Sequence, residues 1–312
     1  MKFGILGDAK IAREKVIPAI RAAGHEVIQL GRRNPDNKAT DPVYEGVGQT
    51  SYEGLLANPE IDIIYNPLPN HLHVPWSIKA MEAGKHVICE KPIALNMAEL
   101  DSLEAAAKRT GMYVYEGFMI RHHPQWHWLA NAPIGKAQAI QVAFAYPTLS
   151  DDNIRNVAEW GGGPVYDIGC YAIMAGILLF GGGPQSIDVK MVMDPKHKVE
   201  NFASGLLVWP DERHLLFSVS SSSSLTQGVH VIGTEGAARL EVPFNPVGPT
   251  RGFLLSGSLG EGEIVSFADC DQYALMVKDV VADIAGGASP DFTHSRIVIS
   301  CLEEMIGARD RG

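Results

Sequence analysis

The sequence predicts an α/β protein in which an N-terminal, doubly wound parallel sheet is followed by a C-terminal α+β domain with a large, open, mostly antiparallel sheet. Over the first 120 residues, short β-like runs alternate with helical ones, which is typical of a doubly wound sheet. Beyond about Arg121, strand-like runs outnumber helices and lie close together, which favours an antiparallel or mixed sheet. We therefore predict two domains, residues 1–120 and residues 121–312.

The elements of the first domain follow from apolar runs and from the glycines and prolines that interrupt them. Predicted strands cover residues 3–6, 26–30, 61–65, 86–89 and 112–116. Predicted helices cover residues 11–23, 52–57, 74–83 and a segment that begins after Asn96 and ends at Gly111. Asn96 and Glu99 have the spacing of a capping box. Pro18 is expected to kink the first helix or to end it early.

The second domain is predicted to contain one buried helix at residues 165–180 and a final helix at residues 295–308. We leave open that the final helix packs back near the first domain. Predicted strands cover residues 140–146, 186–193, 203–209, 215–222, 228–233 and 237–242.

Composition and charge exclude several classes of function. The net charge is −10 and the densest basic cluster is Arg32-Arg33, so we expect neither nucleic acid nor an anionic membrane as a partner. The 4 cysteines are scattered without metal-ligand spacing, which indicates reduced thiols and a cytoplasmic protein. The first strand begins at once, leaving no room for a signal peptide, and no apolar run approaches the roughly 20 residues of a membrane helix.

A small-residue turn follows the first strand and opens the first helix. The pattern Gly4-x-x-Gly7-x-Ala9-x-x-Ala12 lets a backbone approach a pyrophosphate and lets the helix pack close to the strand. A role in packing alone is the alternative. The residues predicted to bind a dinucleotide here are Gly7, Asp8, Ala9, Lys10 and Ile11.

The end of the second strand indicates which dinucleotide is used. A chain selecting NAD places a carboxylate there for the ribose 2′-hydroxyl, but this chain has Arg32 and Arg33 and no acid before Asp36. A guanidinium matches a phosphate geometrically, so we predict NADP in preference to NAD. A solvated basic turn is the alternative.

Lys91 is the first candidate for catalysis. It stands in Glu90-Lys91-Pro92, directly after the predicted strand at 86–89, and the proline forces the chain out of the sheet. In open parallel sheets, ligands bind outside the carboxyl ends of the strands. The alternative is an ordinary surface lysine.

Asp167 and Tyr171 are the second and third candidates. Their spacing places them on one face of a helix that is apolar nearly all round, where a carboxylate is costly unless it is paired or functional. Alcohol oxidation needs a proton acceptor near the carbon that loses hydride, and a nearby ammonium favours the tyrosine phenolate. The alternative is a structural aspartate bonded to the glycine-rich loop. Trp160, beside the triple glycine, is the best candidate to stack on a sugar.

These motifs occur in one order over nearly the whole chain, and together they resemble the Gfo/Idh/MocA family of NAD(P)-dependent oxidoreductases. Within it, the resemblance is to the branch of dimeric dihydrodiol dehydrogenase, aldose dehydrogenase and glucose–fructose oxidoreductase. The motifs are Gly4–Gly7 with Ile11-Ala12, Pro67-Leu68-Pro69-Asn70 with His73, Ala83–His86 leading into Glu90-Lys91-Pro92, Glu116–Met119 with Arg121 and His123-Pro124-Gln125, Gly161–Tyr171, and Gly233–Gly236.

The resemblance implies an N-terminal Rossmann domain that binds the dinucleotide and a C-terminal sheet that forms a dimer or tetramer. The family's catalytic lysine corresponds to Lys91, and its Asp-x-x-x-His/Tyr pair corresponds to Asp167 and Tyr171. Further residues implied at the cofactor are Pro67, Leu68, Asn70, His73, Glu90 and Lys91, and those at the substrate are Arg121, His123, Trp160 and Asp167. The chain departs from the family's pattern at Ala9, Arg32 and Ile120.

The sequence thus predicts an NADP-preferring oxidoreductase that transfers hydride at a C–OH or C=O carbon of a sugar, polyol or trans-diol. A nucleotide-retaining glycosidase of the same family and a non-enzymatic NADP sensor remain as alternatives. We predict no metal site, because Pro124 interrupts the His123–His127 spacing and no carboxylate or cysteine joins these histidines locally. No motif names the sugar or the physiological direction.

Overall fold

The computed structural model describes residues 1–148, 150–255 and 262–309. The chain divides into two compact units, one formed by Met1–His122 with Asp271–Ser295 and the other by His123–Cys270 with Arg296–Gly312. The segment 271–295, which the sequence assigned to the second domain, therefore packs with the first unit.

The first unit contains a six-stranded sheet in which every neighbouring pair is parallel. The strands are β1 Lys2–Leu6, β2 Glu26–Arg32, β3 Gly48–Ser51, β4 Ile63–Asn66, β5 His86–Cys89 and β6 Val114–Glu116. Their order is β3-β2-β1-β4-β5-β6, so the winding reverses between β1 and β4. This confirms the predicted doubly wound sheet and places the ligand-binding crevice of such folds at the carboxyl ends of β1 and β4.

The first helix covers nearly the predicted range but is irregular. A π-helical turn, Ala12–Val16, leads into helix α1, Ile17–Ala22, so the helix neither ends early at Pro18 nor is regular throughout. Pro18 lies in the first turn of the α-helical part, where a missing N–H is tolerated. The wider turn before it accommodates the proline without breaking the helix.

The other helices of the first unit are α2 Tyr52–Leu56, α3 His73–Glu82 and α4 Met97–Thr110. The predicted cap of α4 is confirmed, because the Glu99 N–H donates to Asn96 Oδ1 at 2.9 Å and Gly111 ends the helix with φ +69°. Strand β3 was not predicted. A short polar segment with intermediate burial carries too weak an alternation to indicate a strand.

The second unit contains an eight-stranded sheet with the order β14-β13-β12-β11-β7-β10-β9-β8. Only β7 and β10 pair in parallel, which confirms an open, mostly antiparallel sheet. The strands are β7 Ala137–Ala145, β8 Ser186–Met193, β9 Glu200–Val208, β10 His214–Ser220, β11 Thr226–Gly233, β12 Ala237–Leu240, β13 Thr250–Leu255 and β14 Glu263–Phe267. The last two were not predicted. Gly252 suggests a turn, but a Cβ there would come within 2.5 Å of Trp128 Cζ3, so the glycine makes room for that ring.

The helices that accompany this sheet are α5 Pro124–Ala130 and a π-helical turn, Val165–Gly169, that continues as α6, Cys170–Phe180. The helical stretch Ala158–Phe180, with mean hydropathy 1.5, meets the length and composition of a membrane span, which the sequence analysis did not expect. Its apolar window is 83% buried inside the protein, as in a core helix. Helix α7, Gln272–Ala285, belongs to the first unit, and α8 covers Thr293–Arg309.

Candidate active site

The turn after β1 is fixed by Gly7. Its φ is +84°, and its N–H donates to the Gly31 carbonyl at 2.9 Å. A Cβ at this position would lie 2.9 Å from Leu68 Cδ2, in the loop that follows β4. Only glycine satisfies both conditions. The turn at residues 7–11 and the loop containing Pro67 and Leu68, predicted separately, are therefore neighbours at the switch point of the sheet.

Asp8 is the centre of a polar cluster in this turn. Its Oδ1 accepts hydrogen bonds from Arg13 Nη1 at 2.5 Å and from the Tyr44 hydroxyl at 2.9 Å. Its Oδ2 lies 3.9 Å from Nη2 of Arg32. The bond to Asp8 raises the pKa of Arg13. The sequence indicated neither Arg13 nor Tyr44, because nothing local links them to Asp8.

Arg32, the last residue of β2, has one guanidinium nitrogen without a partner. Its side chain is 16% exposed, and among the described residues none forms a hydrogen bond with Nη1, which is buried. A buried donor without an acceptor is unfavourable, and a phosphate oxygen is the acceptor that a guanidinium matches best. Arg33 is exposed. Burial lowers the pKa of the nearby His71, and the positive charge of Arg33 lowers it further.

The loop after β4 is tied to the chain around Lys91 by His73, the first residue of α3. The ring nitrogens of His73 lie 2.6 Å from the Leu68 carbonyl and 2.8 Å from the Pro92 carbonyl. Burial lowers the pKa of His73 to about 4, so at neutral pH the ring carries one N–H, donates it to one of these carbonyls and packs against the other. Asn70 begins the 3₁₀ turn that precedes α3. His73 thus holds the two loops together, a structural contribution to the cofactor region.

Lys91 follows β5 directly and is partly exposed, and the Lys91–Pro92 peptide bond is cis. The residue before it is anchored at both ends. The Glu90 N–H donates to the Asn66 carbonyl at 3.0 Å, and Glu90 Oε1 accepts the Tyr65 hydroxyl at 2.7 Å. The backbone that carries Lys91 is therefore fixed where β5 leaves the sheet.

Glu116, at the end of β6, holds the other side of this turn. Its Oε1 accepts the Ile93 N–H at 2.9 Å and its Oε2 accepts the Ser295 hydroxyl at 2.6 Å. Glu116 is 5% exposed, and burial raises its pKa. The sequence motif contained Glu116, but its contact with Ser295 joins residues 179 positions apart and has no local signal.

Asp167, in the second unit, lies in the π-helical turn before α6. Its Oδ2 accepts hydrogen bonds from Arg155 Nε at 2.6 Å and from the Tyr146 hydroxyl at 2.8 Å. The π turn ends at Gly169, and residues four apart lie on nearly the same side of a π turn as of an α-helix, so the shared face of Asp167 and Tyr171 stays a prediction. The sequence indicated neither Arg155 nor Tyr146.

Tyr171 lies in α6 within an aromatic cluster. Its ring centroid is 5.7 Å from that of Phe144 and 5.4 Å from that of Phe244, and the residue is 5% exposed. Such edge-to-face and tilted contacts restrict the ring to one orientation. The phenol of Tyr171 is therefore carried by a rigid part of the second unit.

The triple glycine before this helix makes room for Glu200. Gly163 has φ +99°, and a Cβ there would collide with the Glu200 carboxylate. Glu200 Oε1 accepts the Val165 N–H at 3.0 Å, at the start of the π turn. Burial raises the pKa of Glu200. The glycines and Glu200 together set where the helix containing Asp167 begins.

The remaining predicted substrate residues have different surroundings. Arg121 lies in a 3₁₀ turn with its guanidinium 5.6 Å from the centre of the Tyr115 ring. His123 is 1% exposed and caps α5, since its Nδ1 accepts the Gln125 N–H at 3.2 Å. Trp160 is 37% exposed and stands directly before Gly161. Of the three residues, Trp160 is the most exposed.

Comparison with known families gives two matches along the chain. Residues 1–118 match the Gfo/Idh/MocA family described as an oxidoreductase family with an NAD-binding Rossmann fold. Residues 126–239 match the C-terminal domain of the same family.

Individual proteins are similar over almost their full length. The chain is 39% identical to an uncharacterized oxidoreductase of Rhizobium meliloti, covering 92% of this chain and 90% of that protein. It is 32% identical to the NADP-dependent D-xylose 1-dehydrogenase 2 of Haloferax volcanii, covering 100% of this chain and 98% of that protein. A solved structure of a 3-ketoreductase from Actinomadura kijaniata, in complex with NADP and TDP-benzene, superimposes with a TM-score of 0.88. Its sequence is 25% identical, and 98% of this chain and 97% of that one are covered.

Proposed function

This chain belongs to the Gfo/Idh/MocA family of oxidoreductases, and from that premise we propose that it is an NADP-preferring dehydrogenase or reductase. Its substrate would be a sugar, polyol or trans-diol, with the reaction at a C–OH or C=O carbon. The D-xylose dehydrogenase relative uses NADP, and the structure of the similar ketoreductase contains it.

The observation that carries the cofactor assignment is the partnerless Nη1 of Arg32 at the carboxyl end of β2. In doubly wound folds this strand end meets the adenine ribose, where a 2′-phosphate would supply the missing acceptor. We propose that Arg32 and Arg33 bind that phosphate and that residues 7–11 receive the pyrophosphate. Pro67, Leu68 and Asn70 would line the nicotinamide side, and His73 and Glu90 would hold the loops that contact it. When bound, NADP supplies the acceptor for the hydride, and NADPH supplies the donor.

For the reaction itself we propose three roles. In the oxidative direction, Tyr171 as phenolate takes the hydroxyl proton of the substrate while the hydride leaves the same carbon. In reduction, the phenol returns that proton to the oxygen. The Lys91 ammonium orients this oxygen and favours the phenolate. Asp167 accepts a hydrogen bond from a neighbouring substrate hydroxyl, and Arg121, His123 and Trp160 are the proposed further substrate residues.

The support for Lys91 is its placement. It stands at the carboxyl end of β5, beside β4 and the switch point of the sheet. Three anchors fix its turn, namely Tyr65 on Glu90, Glu116 on Ile93, and His73 on Pro92. A lysine that served only solubility would not require a backbone held this firmly.

The test is a panel of aldoses, inositols and trans-diols, assayed at 340 nm with NADP and with NAD. We expect turnover with at least one class, D-xylose being the first aldose to try, and a higher kcat/KM with NADP. Release of nitrophenol from a nitrophenyl glycoside without net reduction of NADP would indicate the glycosidase instead. Binding of NADP with no turnover of any substrate would indicate a sensor.

We also propose that the protein is a cytoplasmic homo-oligomer that associates through the outer face of the C-terminal sheet. In the part of the chain that the structure describes, helix α5 contacts β12 and β13 of this sheet and helix α6 contacts β7. The outer face has a groove of about 900 Å³ lined by residues of β7 to β13, and its charged lining residues, Asp188, Lys190, Arg239 and Glu241, lie on β8 and on or directly after β12. Exposed apolar side chains lie on the same face, among them Leu216, 45% exposed, and Ile232, 37% exposed. Residues 1–120 would then bind the dinucleotide and residues 121–312 the substrate and the partner subunit, with 271–295 packing on the first unit.

The oligomer is tested by light scattering after size-exclusion chromatography. We expect Leu216→Glu together with Ile232→Glu to yield a monomer, because two charges would be buried in the interface. Leu225→Glu is the matched control, since Leu225 lies before β11 and is already 72% exposed. A wild-type protein that elutes as a monomer at micromolar concentration would overturn this part of the proposal.

A further inference from the structure

The nucleotide turn contains a carboxylate to which the proposed NADP site has given no side-chain role. NAD-selecting folds carry their acid at the end of β2, whereas here the acid is Asp8, inside the turn after β1. Its side chain is 27% exposed, so one edge of the carboxylate reaches solvent. A carboxylate beside the arginines that would bind a phosphate is a repulsive element, and such elements set specificity.

The arginines of this cluster are unequally engaged. Arg13 donates from Nη1 to both the side chain and the carbonyl oxygen of Asp8, at 2.5 and 2.9 Å, and its Nε lies 3.5 Å from Asp41. Among the residues that the structure describes, Arg32 lies 3.9 Å from Asp8 Oδ2 through its Nη2, and its Nη1 has no hydrogen-bond partner. Arg32 is therefore the cation with capacity left for a ligand, and Asp8 is the anion nearest to it.

The orientation of the Asp8 carboxylate is fixed by two donors that bind Oδ1, the oxygen that does not face Arg32. Tyr44 is 4% exposed and donates its hydroxyl hydrogen to Oδ1, the oxygen that Arg13 also binds. Oδ2 is turned to Arg32, whose Nη2 lies 3.9 Å from it. This oxygen is placed to accept a hydroxyl hydrogen or to repel a phosphate.

We propose that Asp8 is a specificity-determining residue that limits the preference for NADP by competing with the 2′-phosphate for Arg32. With NADP, the phosphate and the Asp8 carboxylate share one guanidinium and repel each other. With NAD, Oδ2 of Asp8 accepts the 2′-hydroxyl in place of the acid missing from β2. The chain therefore binds both nucleotides, and Asp8 reduces the ratio of its affinity for NADP to its affinity for NAD. This inference rests on the proposed function, because it concerns the same nucleotide site.

The test compares dissociation constants of NADPH and NADH, measured by nucleotide fluorescence, for the wild type and Asp8→Asn. Asparagine still accepts hydrogen bonds from Arg13 and Tyr44, so the turn is kept, and thermal unfolding verifies the fold. We expect NADPH to bind about tenfold more tightly at low salt and NADH to bind no more tightly than before. The gain shrinks at 0.5 M salt, because this site is partly exposed. Asp8→Ser repeats the measurement should the asparagine variant not fold.

Two controls make the outcome specific. Asp41→Asn removes a carboxylate that contacts Arg13 but not Arg32, and we expect it to change NADPH affinity less than about threefold. In an Arg32→Ala background, Asp8→Asn should also increase the affinity for NADPH less than about threefold, because the effect of Asp8 depends on Arg32. An unchanged NADPH-to-NADH ratio in Asp8→Asn, or an equal gain without Arg32, overturns the inference. A wild type that binds neither nucleotide contradicts the proposed function itself.

Discussion

Arg155 donates a 2.6 Å hydrogen bond to Oδ2 of Asp167, the same oxygen that accepts the Tyr146 hydroxyl at 2.8 Å. Two donors on one oxygen fix the rotation of the carboxylate. Asp167 is therefore oriented by residues that come from outside its own helix. Such support is what keeps a binding group in one geometry.

The first prediction concerns this support. Arg155→Ala should raise KM about tenfold while changing kcat less than about threefold, because a charge-assisted hydrogen bond orienting a binding group is lost. Tyr146→Phe should have a smaller effect in the same direction. Arg251→Ala, at a surface pair with Glu241, is the control. An unchanged KM in Arg155→Ala would show that substrate binding does not depend on the support that Arg155 gives to Asp167.

A second prediction separates the chemistry of Tyr171 from its packing. Tyr171→Phe keeps the ring contacts with Phe144 and Phe244, so the melting temperature should stay within about 3 °C of wild type. Its kcat should fall about 10³-fold, the range of a lost general acid–base group. Tyr166→Phe, in the same helical segment, is the matched control and should retain activity. Equal effects of the two substitutions would contradict the assigned role.

The third prediction is a pH dependence of stability that arises from His73. Burial lowers its pKa to about 4 from an ordinary value of 6.5, so between these pH values the unfolded state binds more protons than the folded state. Stability contributed by neutral His73 is present above pH 6.5 and lost as pH falls toward 4. The loss should be about 2 kcal/mol between pH 7 and pH 5.

Urea unfolding at pH 7 and pH 5 measures this loss. Other buried histidines with lowered pKa, such as His123, act in the same direction, so the difference between wild type and His73→Gln isolates the contribution of His73. The variant should lose about 2 kcal/mol less than wild type over this interval. Parallel losses in both proteins would refute the assignment.

The fourth prediction tests the two hydrogen bonds that Glu116 accepts from Ile93 and Ser295. Burial raises its pKa, so the folded state binds protons more readily and the charged carboxylate weakens stability at neutral pH. Glu116→Gln still accepts the Ile93 N–H and still bonds Ser295, and should be at least as stable as wild type at pH 7. Glu116→Ala leaves both donors unpaired and should lose about 2 kcal/mol.

Activity distinguishes positioning from stability in this pair of variants. If Glu116 holds the turn of Lys91, kcat should fall in Glu116→Ala at 15 °C, where the variant is still folded, and recover in Glu116→Gln. Circular dichroism at the assay temperature verifies the fold. A kcat in Glu116→Ala equal to that of wild type would show that the turn containing Lys91 does not depend on the hydrogen bonds of Glu116.

The sequence was sufficient for the features whose signals are local. The cap at Asn96, the glycine at 111, the turn at Gly7 and the strand preceding Lys91 each follow from a few adjacent residues. Strand β13 was missed because Gly252, which makes room for Trp128, has the same local appearance as a turn glycine.

The partners of the site residues were beyond sequence reasoning for a different reason. Tyr44 meets Asp8 across 36 positions, Arg155 meets Asp167 across 12, and Ser295 meets Glu116 across 179. Each of these side chains is common and carries no motif of its own. Each of them is recognised only in the tertiary fold, where it donates a hydrogen bond to a carboxylate that the sequence motifs had already indicated.

The central claim is that Lys91 acts in the chemistry and not in folding or solubility. Its most direct test is kcat/KM of Lys91→Met for the best substrate of the panel, measured at 340 nm with NADPH affinity determined in parallel. We predict a loss of at least about 10³-fold in kcat/KM with NADPH affinity changed less than about tenfold. A Lys91→Met enzyme with kcat/KM within about tenfold of wild type would contradict the account.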